Sequence, residues 1–158
     1  MKELVKLVQE WSIARGLDKA DSRGQFLKIV EEVGEVSAAL CRSDMSELKD
    51  GIGDVVVTLI IYAQQHNKNT VIDEISDLAF SERDGAWHIL RIMSGVFNLA
   101  NGYDSEIIYR VENIIGDLAN LALNHDFDLK ECLQAAYDEI SGRTGKMRNG
   151  IWIKKEDL

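Results

Sequence analysis

The chain has 158 residues, 46% of them apolar and 28% charged, proportions of a soluble globular protein with enough length for one well-buried core. Its formal net charge is -9 and no Lys/Arg-rich stripe runs along it, which argues against a duplex nucleic-acid surface or an anionic-membrane surface. The longest apolar stretch, residues 55–63, is far short of a membrane span, and Cys41 and Cys132 lack metal-type spacing. With no signal peptide in view, they read as reduced thiols of a cytoplasmic protein.

There is no proline, and the glycines fall at plausible turns, which favours helices. Leu4, Val5, Leu7, Val8 and Trp11 predict a first helix ending near "RGL". Phe26, Ile29, Val30, Val33, Val36 and Leu40 carry the helical period through a second. Further helices are expected at 46–65, 86–101, 105–124 and 129–141, with a short one around 71–78 in a polar stretch. The last segment, "GRTGKMRNGIWIKKEDL", reads as a loop and an extended tail.

The segment "DVVVTLIIYA" is so rich in β-branched residues that alone it would suit a buried strand. An offset of 63 residues offers a tiebreaker if it marks an internal duplication; the alternative is the pattern that two amphipathic helical hairpins share by default. The offset lays "FLKIVEEVGEV" over "ILRIMSGVFNL" and "GIGDVVVTLIIY" over "IIGDLANLALNH", matching Leu27, Ile29, Val33, Gly53 and Asp54 to Leu90, Ile92, Val96, Gly116 and Asp117. The second copy consists of better helix formers, so the first is expected to be a central helix, apolar almost all round. Under this offset Glu32 meets Gly95 and Glu35 meets Asn98, so a charged site would survive only in the first copy.

That site would be built from carboxylates. Glu32 and Glu35 are three apart and share one side of a helix, with Glu32 bordering the apolar stripe and Glu31 pointing nearly opposite. Asp50 and Asp54 are four apart on the next helix, and the pattern places Asp54 in the first turn of the apolar helix. A buried carboxylate is costly unless paired, and only Lys28 and Lys49 are near in sequence. Two carboxylates from each of two antiparallel helices make an oxygen-only cage suited to Mg²⁺ or Mn²⁺. The bland alternative is a solvated acidic face.

"EEVGEVSAAL" followed by "GIGDVVVTLI" resembles the all-α nucleoside triphosphate pyrophosphohydrolases, the MazG-like and dimeric-dUTPase-like group. The likeness reaches back to "WSIARGLDKADSRGQFLKIVEEVGE" and forward to "AAYDEISGRTGKMRNGIWIK", and the three blocks cover a little over half the chain. The resemblance implies an all-α helical bundle of five to seven helices in one domain, residues 1–158. Within it, a catalytic helix pair would occupy 23–66, a degenerate second pair 86–125 and a nucleotide-contacting stretch 137–153. It also implies metal-dependent hydrolysis of a nucleoside triphosphate to monophosphate and pyrophosphate, in a homodimer or larger homo-oligomer. Glu32, Glu35 and Asp54 match metal ligands of the group. Its pattern has a glutamate three residues before the aspartate, where this chain has Gly51, and Asp50 is the nearest substitute. The departure leaves open a protein that binds nucleotide or metal without turnover.

Glu31 is the candidate general base, or a plain surface residue. Lys146 and Arg143 are candidates for phosphate contacts, although basic residues after a helix ordinarily complement its dipole. Asn149 could bond sugar or base, or simply belong to an "NG" turn. Trp11 could stack on a base and Gln25 could reach substrate, but core and surface positions are the commoner fates of such residues. No histidine has a glutamate three positions before it, which argues against a di-iron bundle, and "GIGD" is no P-loop.

Overall fold

Four aspartates start four helices. Asp21, Asp44, Asp84 and Asp128 each accept a backbone N–H of the following turn, at 2.9, 3.2, 2.8 and 2.7 Å, satisfying donors that a helix start leaves unpaired. The computed structural model describes residues 1–68, 81, 83–143, 145–148 and 151–154. Among these residues there are six α-helices: α1 Lys2–Ala14, α2 Ser22–Arg42, α3 Met45–Gln65, α4 Gly85–Asn101, α5 Ile107–Leu123 and α6 Leu129–Ser141. The all-α expectation therefore holds, with boundaries within two residues of those read from the sequence. The short helix expected at 71–78 lies outside the described residues.

The segment that could have been a strand is the central helix. α3 packs against α1, α2, α5 and α6, and Ile52, Val55, Val56, Leu59, Ile60 and Ala63 on it are fully buried. Burial on every face explains why β-branched residues are tolerated there: packing against four neighbours outweighs a weak local preference. At Gly53 the approach of α6 leaves no room for a side chain, since a Cβ would overlap the Cys132 carbonyl oxygen and sit 2.8 Å from Ala136 Cβ.

α2 and α3 are joined through Ser43, in the left-handed conformation, and Asp44, so they lie antiparallel. Gln25 Nε2 donates to the Thr58 carbonyl across this pair at 3.1 Å. α4 and α5 form a second antiparallel pair resting on the first. Under the 63-residue offset, Ile29 and Ile92, Val33 and Val96, and Ile52 and Ile115 are all buried, while Leu27 and Leu90 are both exposed.

One departure concerns the C-terminus. Instead of a loop and tail, β1 Gly145–Arg148 and β2 Ile151–Lys154 pair antiparallel, with Arg148 opposite Ile151. "Asn-Gly" ahead of "IWIK" is a hairpin signal, a two-residue connection followed by β-branched and aromatic residues.

Candidate metal centre

The α2–α3 hairpin brings Glu32 and Glu35 of α2 near enough for their charges to act on Asp54 of α3. Asp54 is not in a first turn, as the apolar run suggested. α3 begins at Met45, so Asp54 sits mid-helix, where the backbone N–H groups are already used and no helix-terminal charge assists it. Its carboxyl is pushed up to about 7, first by burial, then by the charges of Glu32 and Asp50, with Glu35 adding to them and Arg143 opposing. Among the described residues no cation forms an ion pair with Asp54. The Glu35 carboxyl is also raised, by burial first and then by Glu32. Asp54 thus feels Glu32 and Glu35 across the helix pair and Asp50 along its own helix.

Glu32 is the most informative of them. Its side chain is 10% exposed; Oε1 takes an ion pair from Lys28 Nζ at 3.0 Å, whereas Oε2 is buried with no hydrogen-bond partner among the described residues. A buried carboxylate oxygen left unpaired is costly, and an all-oxygen donor set is what Mg²⁺ and Mn²⁺ take. In donor chemistry the carboxylates of this pair suit such an ion. Among the described residues, however, no three Asp, Glu, His or Cys side chains stand in a preformed coordination group.

The other sequence candidates fall as follows. Glu31 is exposed and bonded to Lys28 at 2.6 Å, as its wheel position indicated. Asp50 is half-buried. Gln25 is buried and committed to the α3 backbone, so its place is structural glue rather than surface. Trp11 is half-buried: its indole N–H donates to the Ile140 carbonyl at 2.9 Å, and the Arg15 guanidinium lies over the ring, 4.4 Å from its centroid. It ties α1 to the end of α6. Arg143 is half-buried, paired with Glu139, and its carbonyl accepts a bond from Arg15. It is the cation that acts on Asp54. Lys146 lies on β1, its side chain outside the described residues, as is Asn149 altogether.

Two residues gain roles that the sequence only hinted at. Lys28 bridges Glu31 and Glu32, a contact that the i,i+3 and i,i+4 spacings signal. Gly51 is buried against α2, where a Cβ would meet Val36 Cγ2 at 3.0 Å. The missing glutamate is therefore matched by a valine filling its space, and no local sequence pattern shows that.

Comparison with known proteins supports the reading of this pair. Residues 24–79, which include most of α2 and all of α3, match the MazG nucleotide pyrophosphohydrolase domain. The likeness read from "EEVGEVSAAL" and "GIGDVVVTLI" is thereby borne out; the match does not reach the C-terminal block. The chain is also similar to the "Uncharacterized 18.2 kDa protein in rep-hol intergenic region" of Haemophilus phage HP1 (strain HP1c1), 30% identical over 76 residues. That alignment covers 48% of this chain and 47% of the relative, so the chain spans about half the length of the relative. No solved structure matches. Among the described residues no helix is long and apolar enough to cross a membrane.

Proposed function

We propose that the protein is a metal-dependent nucleoside triphosphate pyrophosphohydrolase, working in the cytoplasm on a nucleotide that yields monophosphate and pyrophosphate. The observation that carries this reading is the buried Oε2 of Glu32, without a hydrogen-bond partner among the described residues, together with a carboxyl raised to about 7 at Asp54, on the helix pair that matches the MazG domain. Glu32, Glu35, Asp50 and Asp54 would hold Mg²⁺, or Mn²⁺ in its place. When bound, the ion neutralises triphosphate charge and lowers the pKa of water.

The chain's own residues supply the rest. Glu31, exposed on α2, would accept the proton of the attacking water. Arg143, whose charge acts on Asp54, would contact a phosphate held near the ion. Lys146 and Asn149 complete the proposed substrate contacts, and Trp11 and Gln25 act through packing. Assembly as a homodimer or larger homo-oligomer is supported by large apolar side chains left exposed on α2 and α4, with Leu27 at 65%, Leu90 at 70% and Phe97 at 68% exposure.

A second reading has one observation in its favour. Val36 fills the space beside Gly51, so the fourth ligand of the group's pattern is absent, and a nucleotide- or metal-binding protein without turnover would look the same. Incubating the protein with each dNTP and NTP, in Mg²⁺, Mn²⁺ or EDTA, and separating the products distinguishes the two. Equimolar monophosphate and pyrophosphate, formed only with metal, is the expected result. Nucleotide binding without any product would give the second reading the lead.

A further inference from the structure

Lys28 Nζ lies 2.6 Å from Glu31 Oε2 and 3.0 Å from Glu32 Oε1, so one ammonium bridges two carboxylates of the cluster. Ion pairs at these spacings usually lie in solvent and matter little. This one differs because the Glu32 side chain is 10% exposed and its second oxygen is buried without a hydrogen-bond partner among the described residues. Among the described residues, Lys49 pairs with Glu131 at 3.4 Å and Arg143 pairs with Glu139. Lys28 is itself 38% exposed, on a flexible stem that can carry its charge outward into solvent.

We propose that Lys28 is a displaceable counter-ion, which offsets part of the charge of Glu31 and Glu32 while the site is empty and turns to the phosphates of the incoming nucleotide when the site is filled. The inference rests on reading the α2–α3 carboxylates as a divalent-ion site. Two cations competing for one carboxylate repel each other, so Lys28 holds down the affinity for a free divalent ion. A triphosphate arriving with its ion offers Lys28 other oxygens. Lys28 therefore couples the two binding events, favouring the ion–nucleotide complex over the bare ion. The residue acts on recognition and leaves the chemistry to others.

The test is Mn²⁺ binding to the full chain by electron paramagnetic resonance, without nucleotide and then with inorganic triphosphate. Lys28→Met is expected to tighten binding of Mn²⁺ alone by about tenfold and to weaken binding of Mn²⁺-triphosphate by a similar factor. Lys28→Arg, which keeps the charge, should remain within about threefold of wild type. Lys6→Met, which removes an exposed cation paired with Glu10, controls for net charge and should change neither value. Unchanged or weaker binding of Mn²⁺ alone by Lys28→Met would overturn the counter-ion role. Tighter Mn²⁺ binding with unchanged triphosphate binding would overturn the exchange. If neither wild type nor Lys28→Met binds Mn²⁺ in either form, the divalent-ion reading itself fails.

Discussion

Arg91 on α4 reaches Asp117 on α5, with Nε 3.4 Å from Oδ1. Under the 63-residue offset these two residues are the counterparts of Lys28 and Asp54. In the second helix pair the aspartate has a fixed cation of its own; in the first, Asp54 has no ion-pair partner among the described residues. The packing is exchanged as well. In the first pair Gly51 on α3 yields to Val36 on α2; in the second, Gly95 on α4 yields to Ile114 on α5, which would lie 2.6 Å from a Cβ at 95. Ile114 is the counterpart of Gly51, and Gly95 that of Glu32. One pair keeps a charged site and the other has closed over.

The Arg91–Asp117 pair is accordingly structural. The Asp117 side chain is 13% exposed, so Arg91→Met leaves a mostly buried carboxylate unpaired and should cost about 1–3 kcal/mol in urea unfolding. Mn²⁺ binding should not change. A loss of Mn²⁺ binding would place the second pair in the functional site.

The ion-free protein should lose stability as pH rises from about 4 to 7. A carboxyl with a raised folded-state pKa holds its proton in the native protein after the unfolded chain has released it. Its contribution is therefore greatest below the unfolded value of 3.8 and is lost on the way up to about 7 at Asp54. The raised Glu35 acts in the same direction. At Asp54 the effect is of the order of 4 kcal/mol. Melting temperatures in EDTA should fall across this window, and fall much less in Asp54→Asn. Saturating Mn²⁺ should flatten the wild-type slope.

Gly53 and Gly34 make an opposed pair. Gly53→Ala drives a methyl into the Cys132 carbonyl and Ala136, with backbone on one side that cannot yield, and should cost roughly 3 kcal/mol or more. Gly34, on the exposed side of α2, has nothing within 4 Å of a built Cβ, so Gly34→Ala should stabilise by about 0.5–1 kcal/mol. Urea midpoints of the two variants check both signs.

Much of this was legible from apolar spacing and charge. The helical period over Ile29, Val33 and Val36 located α2, and its near-exact counterpart over Ile92, Val96 and Leu99 located α4. The offset between them correctly turned "DVVVTLIIYA" from a possible strand into a helix, because copies must share a fold even when their local preferences differ. What pairwise spacing could not show depends on contacts between distant segments. Gly51 looked like a lost ligand because Val36, which occupies its space, lies on another helix. Gln25 looked like a surface residue because its partner is the backbone of Thr58, 33 residues away. Asp54 looked like the first turn of the apolar run because that run starts at Val55, although the helix itself, as its expected start at 46 already implied, begins at Met45.

Gly51 and Val36 should also be energetically coupled. Gly51→Ala requires Val36 to move by a few tenths of an ångström and should cost about 1 kcal/mol. Val36→Ala leaves a void. The double variant should be more stable than the sum of the two losses, by about 0.5–1 kcal/mol in a double-mutant cycle. Simple additivity would mean that the two positions do not touch.

The most direct measurement compares pyrophosphate release by Asp54→Asn and Asp117→Asn, two matched substitutions at offset positions, each with saturating Mg²⁺ and a hydrolysed nucleotide. If the chemistry belongs to the α2–α3 carboxylates, Asp54→Asn should lose at least about a hundredfold in turnover, whereas Asp117→Asn should keep wild-type activity. Full activity in Asp54→Asn, or an equal loss in both, would contradict the assignment of the site to this helix pair.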